Sequence, residues 1–225
     1  MQSASRRALS PNVDGVRWTV VVPIRAMPSA KTRLARALSA EDHALVVDAI
    51  RADTLATIRA AEGVARIVIV GDKDGPDVTL VQRSPGLNGA LRDAWTYATQ
   101  RWPGDGVVAL VGDLPALRPA ELTAALGQAS ERPRSFVRDA DGTGTTLLAV
   151  TQDTPLDPRF GTGSAARHAG SGAVPLDAAP GLRQDVDTIE DLAAAVALGV
   201  GDRTASIVGS SLTAQRSPSR GMMAP

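Results

Sequence analysis

The chain contains no cysteine. Disulfide frameworks, zinc–thiolate centres and cysteine nucleophiles are therefore excluded, and the composition suits a reducing compartment such as the cytoplasm. Aromatic residues make up only 3%, too few to stack on successive nucleic-acid bases. Lys plus Arg and Asp plus Glu number 24 each, so no net basic field points to nucleic acid or to an anionic membrane. No apolar run reaches the roughly 18 residues that would cross a bilayer. The first fourteen residues carry two arginines and lack the apolar centre of a secretory signal. Neither G-x-x-x-x-G-K-[ST] nor G-x-G-x-x-G occurs, which argues against a P-loop enzyme and against a dinucleotide dehydrogenase.

What is present is an ordinary globular composition: 225 residues, 44% apolar, enough for one domain with a real core. We expect a disordered arm over 1–15, a single domain over 16–208, and a disordered Ser/Pro/Gly-rich tail over 209–225. Between these ends, apolar runs of strand type alternate with helical periodicity. Strands are expected at 18–24, 66–70, 78–81, 107–111, 135–138 and 147–151. A long helix is expected from a Ser39–Asp42 capping box to about Ala61, with His43 facing solvent in its first turn. Further helices are expected after an Asn88 cap, from Pro119, from about Ser164, and from Asp187 or Thr188 to a stop at Gly199. That alternation predicts an α/β fold with a mostly parallel central sheet flanked by helices.

The organising stretch is Val107–Pro115, V-V-A-L-V-G-D-L-P. It reads as a strand buried on both faces, turned by Gly112, with Asp113 at its carboxyl end, where ligands of open α/β sheets bind. Asp113 there either caps the following helix or holds a divalent cation against a phosphate. The loop after the first strand packs Arg25, Lys31 and Arg33 into nine residues, which suits either a polyphosphate or simple solvation. Two stretches of small residues, D-G-T-G-T-T (141–146) and P-R-F-G-T-G-S-A-A-R-H (158–168), are candidates for wrapping an anion with amides and hydroxyls. No partner for His168 is evident in the sequence. Asp185 and Asp187 stand i, i+2, so an extended backbone turns both carboxylates to one side, and two like charges that close favour a bound cation. Taken together these features suggest a nucleoside triphosphate held by cations, with Mg²⁺ held by carboxylates. Nucleotidyl transfer asks mainly for such positioning and charge neutralisation.

The segments V-P-I-R-A-M-P-S-A-K-T-R-L-A (22–35), P-G-L-N-G-A (85–90), V-G-D-L-P-A-L (111–117), G-T-G-T-T-L-L (142–148), 158–168 and Q-D-V-D-T-I-E-D-L (184–192) occur in an order that resembles the phosphoenolpyruvate and 2-phospho-L-lactate guanylyltransferases. The closest likeness is to the actinobacterial branch. These enzymes make the activated precursor of the deazaflavin coenzyme F(420). The resemblance implies a nucleotide-diphospho-sugar transferase-like, Rossmann-like single domain, GTP as donor and Mg²⁺ as cofactor. It implies an acceptor site at Thr145, Gly161 and Ser164, and an acidic metal site at Asp113, Asp185 and Asp187. It also implies a nucleotide-binding element containing Lys31 and Arg33, which with Asp113 would serve catalysis. Arg25 stands where archaeal relatives commonly carry Lys, and Asn88 and Gly89 are candidates for contacting the nucleotide. The implied reaction transfers GMP from GTP to phosphoenolpyruvate, with 2-phospho-L-lactate or another phosphate as alternative acceptor. Hand-off to the downstream deazaflavin transferase would follow; no nucleic-acid or membrane partner is expected. A non-catalytic nucleotide-binding module is the rival from a different class.

Overall fold

The computed structural model describes residues 15–24, 34–71, 79–152 and 154–215. The expected cationic positions Arg25, Lys31 and Arg33, the arm over 1–14, Val78, and residues 216–225 of the tail lie outside the described residues. In chain order the elements are β1 (Trp18–Ile24), α1 (Ala40–Ala60), β2 (Val64–Gly71), β3 (Leu80–Val81), α2 (Gly86–Arg101), β4 (Gly106–Leu110) and α3 (Pro119–Ala129). There follow β5 (Arg134–Arg138), β6 (Thr145–Val150), α4 (Ser164–Gly170), β7 (Val174–Pro175), α5 (Pro180–Arg183), α6 (Ile189–Leu198) and α7 (Asp202–Gln215).

The seven strands form one sheet in the order β3-β2-β1-β4-β6-β5-β7. Strands β1 to β4 are mutually parallel, β6 runs antiparallel to both its neighbours, and β7 is parallel to β5. Helices cover both faces. Alternate residues of β1 show why its β-branched run is continuous: Val20 and Val22 pack with Leu55 and Ile58 of α1 and Leu122 of α3. Val21, between them, packs with Leu91 and Ala94 of α2. Gly106 opens β4 because a Cβ there would lie 2.5 Å from the indole of buried Trp18.

The chain moves outward from β1 through β2 to β3, then returns to the other side of β1 to form β4. The carboxyl ends of β1 and β4 thus flank a topological switch point, the usual crevice of open α/β sheets. Gly112 passes close against this edge, where a Cβ would meet Val22 at 3.2 Å.

Three local expectations are revised. His43 is buried rather than solvent-facing, because it shares the i, i+3, i+7 face of α1 with buried Val46 and Ile50. Asn88 does not cap α2: the helix starts two residues earlier, with Pro85 at the cap, and the Asp93 carboxylate gathers the Arg83 and Ser84 amides ahead of it. The final helix is α7, not α6, and it runs across residue 208, where composition put the domain edge. Its first amides, Arg203 and Thr204, are capped at 3.3 and 2.8 Å by the carboxylate of Asp53, which projects from α1. Among the described residues no helix is long and apolar enough to cross a membrane.

Candidate active site

The antiparallel strand β6 is the key to the site. It begins where β4 ends: Leu110 pairs with Leu147, and the Val111 amide donates to the Thr146 carbonyl at 3.0 Å. Thr145 therefore arrives at the same sheet edge as Asp113, although 32 positions separate them.

The acidic side is assembled from two loops. The Val186 amide donates to the Asp113 carbonyl at 3.2 Å, laying residues 185–187 beside the end of β4. Val186 is fully buried among Leu34, Val46, Ile50 and Leu192, whereas Asp185 is half-buried and Asp187 exposed. The apolar residue thus anchors the segment between its two carboxylates. Thr188 with Asp191 forms a complete capping box on α6, so helix capping does not account for Asp187. The loop after β4 is fastened from α1, whose buried Thr54 hydroxyl accepts the Leu114 amide at 3.1 Å and donates to Ile50. Thr146 donates to the Leu182 carbonyl at 2.8 Å, pinning the turn that precedes Asp185.

Burial, reinforced by the negative charges of Asp113, Asp187 and Asp139, pushes the Asp185 carboxyl up to about 7 from 3.8. Asp113, Asp185 and Asp187 share an edge and a field, yet among the described residues no three such groups close into an ion cage. The donors on offer are hard oxygens supplied sparingly. That suits a cation such as Mg²⁺, which is ordinarily held by one or two carboxylates with phosphate and water completing its shell.

The other side is built from hydroxyls and glycines. Ser164 Oγ lies 3.1 Å from Thr145 Oγ1, both buried, so two of the expected anion-binding residues form one pair. Gly161 and Gly163 adopt φ of +113° and +71°, backbone that other residues rarely sustain. Three side chains hold this glycine loop in place. Asn88 grips the Phe160 backbone in both directions, donating to its carbonyl at 3.1 Å and accepting from its amide at 2.8 Å. Arg167 donates to the carbonyls of Arg159 and Thr162. His168 accepts the Arg159 amide on Nε2 at 2.9 Å. The second Gly/Thr loop is organised by Asp139, whose carboxylate takes the Thr143 and Gly144 amides at 2.9 and 2.8 Å.

The structure thus brings Asp113, Asp185, Asp187, Thr145 and Ser164 to one edge, with Gly161 in the loop beside them. Asn88 uses its amide on the Phe160 backbone. Gly89 is explained by packing, since a Cβ there would lie 2.8 Å from the Ser84 carbonyl group. Thr54 carries no sequence signal because it acts on backbone 60 positions away, whereas Asp139 and Arg167 act on nearby loop backbone whose course the sequence does not show.

This fold superposes on that of a Desulfovibrio desulfuricans protein described as a nucleotide-diphospho-sugar transferase, with a TM-score of 0.69 at 16% identity over 88% of this chain and 96% of that one. Rv0371c of Mycobacterium tuberculosis, crystallised as a manganese complex, shares the fold at a TM-score of 0.50 and 22% identity, over 81% of this chain and 99% of that one. The fold is that of these proteins, and sequence supplies the class: the chain is a nucleotidyltransferase. Within that class it belongs to the family described as "Guanylyl transferase CofC like", whose pattern matches residues 18–208. It is 46% identical over 205 residues to a phosphoenolpyruvate guanylyltransferase of Geodermatophilus obscurus, covering 85% of this chain and 94% of that one. It is 44% identical over 213 residues to the protein of the same name from Salinispora arenicola, covering 89% and 98%.

Proposed function

We propose that this chain transfers the GMP unit of GTP to phosphoenolpyruvate, forming enolpyruvyl-diphospho-guanosine and pyrophosphate, in the biosynthesis of coenzyme F(420). The observation that carries this reading is the meeting of the acidic segments with the Thr145–Ser164 pair at one sheet edge, in a chain 46% identical to a protein named for that activity. A phosphate oxygen of the acceptor attacks the α-phosphorus of GTP, the bond from that phosphorus to the bridging oxygen breaks, and pyrophosphate departs with the electron pair. An acceptor phosphate is already anionic at neutral pH, so the step asks for no general base.

In this reading Thr145, Ser164 and the amides around Gly161 bind and orient the acceptor's anionic groups. Lys31 and Arg33, and Arg25 of the same sequence element, would clamp the triphosphate. Asp113, Asp185 and Asp187 would hold Mg²⁺, which when bound neutralises charge developing on the phosphates. A chain without cysteine suits a cytoplasmic setting for this chemistry.

The test is pyrophosphate release from GTP and Mg²⁺, with phosphoenolpyruvate and 2-phospho-L-lactate offered separately. The downstream deazaflavin transferase and its acceptor are supplied to trap the product. Turnover with phosphoenolpyruvate is expected; preference for phospholactate, or turnover with neither, overturns the assignment.

Asn88 in this reading serves the acceptor side through the glycine loop. Replacing it by Ala strips two polar contacts from the Phe160 backbone, a loss of about 1–3 kcal/mol. The Asn88→Ala variant is expected to raise KM for phosphoenolpyruvate roughly tenfold while KM for GTP holds. The opposite pattern in steady-state kinetics would return Asn88 to the nucleotide.

A further inference from the structure

His168 is fully buried, and both ring nitrogens are engaged. On one side Nε2 lies 2.9 Å from the backbone amide of Arg159. A backbone amide only donates, so Nε2 must present its lone pair. Burial, and then the charges of Arg167 and Arg134, pull the imidazole down to about 4; its single proton is therefore on Nδ1. That nitrogen stands 2.9 Å from Thr145 Oγ1, so His168 donates and Thr145 accepts.

The consequence is a count of hydroxyl protons. Thr145 and Ser164 bring two, and one is used in the 3.1 Å bond between them, whichever way it points. Because His168 supplies its own proton to Thr145, the second hydroxyl proton is left to point outward. With the opposite tautomer, Thr145 would spend its proton on His168 and the bonded pair would show an incoming group only lone pairs. An anionic acceptor would be repelled by the second arrangement and bound by the first. Phe160 and Phe136 pack around the ring at 5.2 and 5.9 Å between centroids and hold it in this orientation.

We infer that His168 is a positioning residue that sets the polarity of the Thr145–Ser164 pair, so that the pair donates a hydrogen bond to the anionic acceptor. The Arg159 amide selects the tautomer, and the signal passes through the ring to the substrate without the ring touching it. This inference rests on the acceptor assignment made above.

Two isosteric variants separate polarity from packing. In His168→Asn the side-chain amide nitrogen falls near the place of Nδ1 and can still donate to Thr145. In His168→Gln the amide falls near the place of Nε2, serves Arg159, and leaves Thr145 without its donor. The Gln variant keeps two hydroxyl protons for one bond but loses the donor that fixes their direction. KM for phosphoenolpyruvate is therefore expected to rise severalfold, short of the roughly 10- to 100-fold weight of a whole hydrogen bond to a charged group, with KM for GTP unchanged. The Asn variant is expected to recover most of that loss. Equal defects in both variants, or parallel rises in both KM values, overturn the relay while wild-type turnover keeps the acceptor assignment intact. A wild type inert toward phosphoenolpyruvate overturns both.

A direct readout covers the case in which the Gln variant does not fold. The chain has only two histidines, so imidazole nitrogen shifts of the wild-type protein are readily assigned. His168 is expected as the neutral Nδ1–H tautomer from pH 5.5 to 8; an Nε2–H tautomer refutes the relay.

Discussion

Replacing Asp113 by Asn is expected to lower turnover by about 10²- to 10³-fold, on the scale seen when one charge-stabilising group is removed from a preorganised site. The substitution keeps shape and removes charge. The backbone that positions residue 113 is fixed by other means: its carbonyl receives the Val186 amide, and the next amide goes to Thr54. The melting temperature should therefore move little, and the loss should appear in kcat rather than in either KM. Steady-state kinetics with GTP and phosphoenolpyruvate, beside a thermal melt, check both halves. An Asn variant with near-normal turnover would remove Asp113 from the acidic site.

Asp185→Asn is expected to push activity and stability in opposite directions. In the folded chain this carboxyl titrates near 7, against 3.8 when unperturbed, because it is buried among Asp113, Asp187 and Asp139. Between those two values the folded state keeps a proton that the unfolded state has given up. The corresponding stability is whole below about pH 4 and is lost as the pH rises through 7. An Asn at this position has no charge to bury. In EDTA at pH 8 the variant should melt several degrees above wild type, given about 2–4 °C per kcal/mol for a chain of this size. The advantage should narrow as the pH is lowered toward 4. Turnover should fall steeply, and Mg²⁺ should raise the melting temperature of the wild type more than that of the variant. A variant no more stable than wild type at pH 8 would mean that the acidic cluster stores no such repulsion.

The sequence disclosed the parts of this molecule whose causes are local. The β-branched runs at 18–24 and 107–111, the Ser39 cap, Pro119 in a first turn and Gly199 as a helix stop all appear in the structure within a residue or two. The candidate site was legible as a list of segments, because strand ends, acidic pairs and glycine loops each leave a short-range trace. How those segments meet was not. Asp53 caps α7 from 150 positions away, which is why composition placed the domain edge inside that helix. His43 looked like a surface residue until the fold put the Val46–Ile50 face inward. His168 seemed to lack a partner because its partners, Thr145 and the Arg159 amide, are set beside it by the antiparallel turn of β6 and by the glycine loop.

That single reversed strand divides the molecule's labour. At this edge Asp113 comes from the parallel half, and the hydroxyl and glycine loops come from residues 139–170, before and after the reversed strand in the chain. The two contributions meet through backbone, Val111 to Thr146, while the later acidic segment joins the parallel half separately, Val186 to Asp113. On the proposed reading, in which Thr145, Gly161 and Ser164 receive the acceptor, a change of acceptor would be a regional edit: substitutions within 139–170 would reshape what is received and leave the strands that carry Asp113 in place.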